Sequence, residues 1–410
     1  MYILFLGCTC LLCYVVSMID PFFFAATPHI DFGVGRRNRL PDIVRQFGGK
    51  IILVTGGKSF DHSTCCQDLL TGLQKEFEVQ HIKVVGEPSP ALVDDAVAKY
   101  KAFSPACVIA IGGGSAIDAG KAIAGLLPSG DSVMEYLEGV GKGKTYQGPS
   151  TPFIALPTTA GTGGETSKNA VLSMIGSQGF KKSFRDEGLV ARHIILDPEL
   201  TLTCPAHVSA ACGMDALTQL LESYVSSNAS PMTDALALGG LRKIGDSLLA
   251  AVEQGDDIQA RADLLYASSV SGLTLANAGL GSVHGLASPL GAFFPIPHGE
   301  ACGTMLCEAA RINIKAMQQR EPDNVALEKY AQAGRLLCQH KNMNSAAARE
   351  ALLKLLENWT ERLNMPRLSE YQVTENDIPR IIAHISGGSM ATNPIVLNQS
   401  ELTELLRSRL

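Results

Sequence analysis

Ala106-Cys-Val-Ile-Ala-Ile-Gly-Gly-Gly-Ser-Ala-Ile-Asp-Ala-Gly-Lys121 joins a β-branched apolar run to three glycines and then to a helical pattern. A short apolar run stopped by glycine and followed by a helix is the βα unit of a parallel sheet. Gly112, Gly113 and Gly114 let backbone N–H groups approach phosphate oxygens with no Cβ in the way, and Ser115 opens a helix whose N-terminus adds its positive dipole end. A tight βα turn would use the same residues, and the run is neither G-x-G-x-x-G nor a Walker loop. Three consecutive glycines then serine at this junction favour a pyrophosphate cradle, with Asp118 on the following turn grouped with it.

Outward from this unit the pattern repeats. Ile51-Ile-Leu-Val-Thr55 runs into Gly56-Gly57, and Gly56 is grouped with the same nucleotide site. Pro152-Phe-Ile-Ala-Leu-Pro157 and His193-Ile-Ile-Leu-Asp197 read as further strands of one layer. The loop Pro157-Thr-Thr-Ala-Gly-Thr-Gly-Gly-Glu165 puts Thr158, Thr159 and Thr162 one βα unit after the triple glycine, where hydroxyls can bond ribose, phosphate or carboxamide. After Pro205 the text changes to long Ala, Leu and Glu-rich stretches at helical spacing, from 206–226, 234–252 and 258–276 to 324–340 and 345–363. The expected fold is therefore an α/β N-terminal dinucleotide-binding domain with a Rossmann-like parallel sheet over 18–205, plus an all-α C-terminal domain over 206–410, with a ligand cleft between them.

Composition narrows the function classes. The 410 residues are 46% hydrophobic and 18% charged, enough for two cores, and a formal charge of −6 with no dense basic run argues against nucleic acid as a partner. Eleven cysteines are scattered without a paired C-x-x-C arrangement, which suits reduced thiols in the cytoplasm. Cys212, close to Asp215, is read as a small buried hydrophobe rather than a ligand. Residues 1–17 form an uncharged apolar run that lacks a basic n-region and is too short to span a membrane, so they are expected to be an extension outside the fold, with Met18 a natural start.

The chemistry-bearing residues of the second half are His284, in Gly281-Ser-Val-His-Gly285, and His298, in Pro297-His-Gly299. Asp215 and Gln219 stand four apart and so project from one face of a helix. A carboxylate and two imidazoles suit a divalent cation such as iron or zinc. Pro289, Pro295 and Pro297 keep the two histidines off one straight helix, so they are expected to converge through a helix end and a loop.

Together, these segments resemble the iron-containing (group III) alcohol dehydrogenases of the dehydroquinate synthase-like fold. The likeness runs from about Met18 to the C-terminus and takes in Thr27–Gly35, Gly112–Lys121, Leu156–Ala170, Asp197–Thr201, Gly213–Thr218, Gly281–Gly299 and Met390–Pro394. The resemblance implies that Gly112, Gly113, Gly114 and Ser115 hold a pyrophosphate, that Thr158, Thr159 and Thr162 lie near ribose and nicotinamide, and that Lys181 lies near the cofactor. It puts the metal ligands on Asp215, His284 and His298. Gln219 stands where the family has a histidine, and its neutral amide is a weaker donor that ligates feebly or orients a water. Ser288 stands where many relatives carry another histidine, which leaves the proton relay and the catalytic residues unassigned.

The expected function is metal-dependent, reversible hydride transfer between a small alcohol or aldehyde and NAD or NADP, with Fe²⁺ the leading metal and Zn²⁺ the alternative. Thr55-Gly-Gly-Lys-Ser59 lacks the acidic residue that would repel a 2′-phosphate, so NADP is admissible. Two other readings compete: a reductase or transhydrogenase of hydroxy or keto acids, and a catalytically silent nucleotide-binding protein. No membrane partner is expected, and the family resemblance implies a homo-oligomer.

Overall fold

The computed structural model describes residues 19–385 and 387–410, without the side chains of Lys58 and Ser59, so the expected 1–17 extension and Met18 lie outside the described residues. Six strands form one sheet: β1 (His29–Phe32), β2 (Lys50–Thr55), β3 (Glu78–Lys83), β4 (Cys107–Gly112), β5 (Phe153–Pro157) and, after a separate hairpin, β8 (His193–Leu196). Their spatial order is β1-β8-β5-β4-β2-β3, and every pairing is parallel. The hairpin is β6 (Asn169–Met174) against β7 (Phe180–Arg185), antiparallel.

The central strands are apolar throughout because helices cover both faces. Every residue of β4 and β5 is buried, and each Ile, Val or Leu so removed from water contributes about 1.5–3 kcal/mol. The edge strands differ: β1 and β3 keep exposed or half-buried side chains along their length. Chain order reverses between β2 and β4, since β2 is followed outward to β3 while β4 is followed the other way to β5. A crevice outside the carboxyl ends of two such strands is where an open α/β sheet binds its ligand. Pairing of Thr55 with Ile111 and of Gly112 with Pro157 brings the loops after β2, β4 and β5 out at one level.

All described strands precede Pro198, and from Ala206 onward the described elements are helical. The Ala206–Val225, Pro231–Glu253, Ile258–Ala278, Ser282–Phe293 and His298–Arg320 helices form the nucleus of this half, followed by the Ala326–Leu337 and Ser345–Arg362 pair. Gly213 lies in the middle of the Ala206–Val225 helix, where a Cβ would meet Leu248 at 2.2 Å, so it lets the next helix approach closely. Among the described residues no helix is long and apolar enough to cross a membrane.

Candidate metal and nucleotide site

The glycine loops converge at the reversal point. A Cβ on Gly112 would lie 3.0 Å from the backbone nitrogen of Gly56, one on Gly113 3.3 Å from Thr159 Oγ1, and one on Gly114 3.2 Å from Thr162 Oγ1. Gly56, Gly112–Gly114, Thr159 and Thr162 therefore share one crevice. Thr158 is tied in by its backbone, whose N–H donates to Gly112 O at 2.9 Å. Ser115 is in the first turn of the Gly114–Leu126 helix at the mouth of the crevice. Asp118 lies one turn further in, half-buried beside Gly164, and burial pushes its carboxyl up to about 7 although Lys121 opposes this. The side chains of Lys58 and Ser59 are outside the described residues.

Lys121 has a role that sequence reasoning missed. Its buried ammonium donates to the carbonyls of Gly164, Ser167 and Asn169 at 2.6, 2.7 and 2.7 Å, which pins the threonine loop from below. Burial pulls its pKa down to about 8, against the pull of Asp118. The same loop leans on the helical half: a Cβ on Gly161 would sit 2.7 Å from Cys212 Cβ, and Gly163, at φ +58, would clash with Gly272 backbone at 2.5 Å. Cys212 is half-buried against Gly161, so it is a packing contact between the loop and the helix that carries Asp215 one turn on.

That helix presents Asp215, Gln219 and Glu222 at helical spacing, all buried. Asp215 Oδ1 is 3.3 Å from His284 Nε2 and 3.9 Å from His298 Nε2. A fourth donor, missed in the sequence, completes the group: Cys302 Sγ is 3.6 Å from His284 Nε2 and 3.8 Å from His298 Nε2. The four ligand atoms lie within 4.8 Å of one another. Gln219 is buried on the same helix, and its Oε1 accepts a hydrogen bond from Ser271 Oγ at 2.6 Å, which leaves the second lone pair of that oxygen.

Local sequence explains the convergence. His284 is in the first turn of the Ser282–Phe293 helix, with Pro289 inside that helix, and His298 is the first residue of the next one rather than part of a loop. Glu222 clamps the first of these, accepting from Val283 N and from His284 Nδ1, both at 2.7 Å. Asn393, from the Met390–Pro394 segment, accepts from Ser282 N at 2.9 Å. Gly281 is required between them, since a Cβ would lie 2.9 Å from Glu222 and 2.8 Å from Asn393. Gly299 and Gly303 allow the His298–Arg320 helix to lie against the Ala206–Val225 helix: a Cβ would meet Ala211 O at 2.5 Å and Met214 Cβ at 2.8 Å. Cys302 could have been found from its spacing, four after His298, and Glu222 from its spacing, seven after Asp215.

Charge in this cluster is strongly coupled. Burial opposes protonation of His284, but the Cys302, Asp215 and Glu222 partners win and raise its pKa well above the imidazole range. Burial also works against the Asp215 carboxylate, yet the two histidines hold its pKa below the ordinary value. His298 is pushed down to about 4 and Cys302 up to about 12, each chiefly by burial. Buried oxygen, nitrogen and sulfur donors converging on one point, with Glu222 fixing one imidazole from behind, fit a divalent ion of the zinc or iron type. Nearby, Lys181 on β7 pairs with Glu87 at 3.1 Å, and its carbonyl accepts from Ser288 Oγ at 3.1 Å.

A glycine-lined crevice at the sheet's reversal point, with its threonine loop packed on the helix that carries a buried cluster of metal-competent donors, is the arrangement expected of a metal-assisted nicotinamide oxidoreductase. The family model of iron-containing alcohol dehydrogenase matches residues 27–198, and that of the Fe-containing alcohol dehydrogenase C-terminal region matches 209–410. The chain is 39% identical over 276 residues to long-chain-alcohol dehydrogenase 1 of Geobacillus thermodenitrificans, covering 67% of this chain and 69% of that one. It is 30% identical over 402 residues to the NAD-dependent methanol dehydrogenase of Bacillus methanolicus, covering 94% and 99%. A 1,3-propanediol oxidoreductase crystal structure superposes with a TM-score of 0.85 at 29% identity, covering 95% of this chain and all of the other, 100%. The chain belongs to the iron-containing alcohol dehydrogenase family and is an NAD(P)-dependent oxidoreductase of that family.

Proposed function

We propose that this enzyme interconverts a small uncharged alcohol and its aldehyde or ketone, with Asp215, His284 and His298 holding the divalent metal and the loops at Gly56, Gly112–Ser115 and Thr158–Thr162 holding the dinucleotide. The observation that carries this reading is the cluster of Asp215, His284 and His298 one turn from Cys212, against which the threonine loop rests. A divalent cation held there would supply Lewis acidity toward an alcohol oxygen, and a dinucleotide held in the loops would supply the hydride acceptor or donor. The protein's part is positional. Glu222 fixes the His284 ring, Lys121 fixes the threonine loop, and packing of that loop on the Ala206–Val225 helix sets the spacing between the two sites. Lys181 spends its charge on Glu87, which disfavours an anionic substrate and sets the hydroxy- or keto-acid reading second.

Chelation followed by metal readdition tests this proposal. EDTA is expected to abolish NAD(P)H formation from short alcohols and Fe²⁺ or Zn²⁺ to restore it, whereas full turnover by metal-stripped protein would defeat the reading. Two further points belong to it. The eight free cysteines among the described residues, adjacent Cys65 and Cys66 included, suit a reducing cytoplasm. The edge strand β1 leaves Ile30 and Phe32 exposed, which suits association with a second copy, checked by light scattering.

A further inference from the structure

We propose that Cys302 is a fourth protein ligand of the metal, so that the site is an aspartate, two histidines and a thiolate in tetrahedral array. The inference rests on the metal reading above. Its first support is shape. A tetrahedral ion with ordinary bond lengths has nitrogen–oxygen edges of about 3.4 Å and nitrogen–sulfur edges of about 3.6 Å. The observed edges from His284 are 3.3 Å to Asp215 and 3.6 Å to Cys302, and those from His298 are 3.9 Å and 3.8 Å.

The second support is placement. His298 and Cys302 are four apart on one helix, and Gly299 and Gly303 bring that helix within backbone contact of Ala211 and Met214. That approach carries both donors toward Asp215. The third support is burial. Cys302 is 0% exposed and Asp215 1%, so neither donor has solvent to compete with an ion for it. Ligation requires the thiol to lose its proton to solvent as the ion enters, with no change of oxidation state. Of the four side chains only His298 has appreciable exposure, 27%, so the approach for substrate lies on its side. A thiolate makes the site softer and favours zinc over harder cations such as manganese.

The test is a cobalt substitution, with apoprotein titrated by Co²⁺ and read in the near ultraviolet. The wild type is expected to show an intense thiolate-to-cobalt charge-transfer band at one equivalent. Cys302→Ser should lose the band and weaken zinc at least about tenfold, because loss of even an outer-shell partner costs that much. Cys212→Ser and Cys307→Ser should keep the band, which separates Cys302 from the neighbouring thiols. X-ray absorption of the zinc-loaded wild type needs no variant and should show a sulfur scatterer at about 2.3 Å. One equivalent of tightly bound metal without a sulfur ligand, or a band that survives in Cys302→Ser, overturns this proposal and leaves the three-ligand reading standing. Failure of any metal to bind overturns both.

Discussion

The two halves of the site are built in opposite ways. The nucleotide crevice is made of backbone, from contiguous loops after β2, β4 and β5 in which the missing Cβ atoms are the active feature. The metal cluster is made of side chains from three helices, drawn from Asp215 to Cys302 and locked from behind by Glu222 and Asn393. A backbone site tolerates drift in side-chain identity but not added bulk. A side-chain site fails with the loss of one donor, and the two can be perturbed separately.

The largest separation is expected from Asp215→Asn. It removes the anionic donor at nearly constant shape, so metal content should fall from one equivalent to near zero and kcat/KM by about a thousandfold, the scale of losing a main electrostatic group. Fluorescence titration with NADH should change little, and loss of nucleotide affinity in parallel would break the distinction. Glu222→Gln touches no ligand atom toward the metal but weakens the hold on His284 Nδ1. Metal affinity is expected to drop about 10–100-fold with dinucleotide affinity unchanged, measured by chelator competition. Gly113→Ala is the reverse experiment. Its Cβ would sit 3.3 Å from Thr159 and intrude where phosphate is expected, raising KM for the dinucleotide about tenfold, or about 1.4 kcal/mol, with full metal occupancy.

The smallest effect concerns the Glu87–Lys181 pair at the join. Burial alone would raise the Glu87 pKa, but Lys181 outweighs it and holds the carboxyl below its usual range. A carboxyl depressed by folding contributes stability above its unfolded pKa, and this is lost as pH falls through the folded value. Glu87→Gln should therefore destabilise the protein at neutral pH by less than about 1 kcal/mol, for a pair with a third of the Glu87 side chain exposed, read as a small fall in melting temperature. The difference should vanish in acid, and a gap that grew as pH fell would contradict the pairing.

This contrast also explains what could be read from the chain. β2, β4, β5 and β8 announce themselves because strands buried on both faces are apolar runs. β3, Glu-Val-Gln-His-Ile-Lys, gives no such run because it is an edge strand and keeps polar side chains in contact with water. β1 escapes a pattern-based reading for the same reason. The hairpin of β6 and β7, which carries Lys181, has short alternating strands that resemble loop. At the candidate site, the loops Gly112–Ser115 and Thr158–Thr162 could be singled out from the sequence because each is local. Asp215, His284 and His298 could be grouped by donor chemistry, a carboxylate and two imidazoles, although no spacing rule links positions on three helices, and the family resemblance then put the metal ligands on the same three. Cys302, four after His298, shares a face with it by spacing, but only the close approach at Gly299 puts it beside two imidazoles.

Anomalous diffraction from crystals of the metal-loaded protein, recorded on both sides of the metal's absorption edge, bears most directly on the cluster. One peak is expected within about 2.0–2.2 Å of Asp215 Oδ1 and the Nε2 atoms of His284 and His298. An active enzyme with no peak there, or with its metal bound elsewhere, would contradict the account.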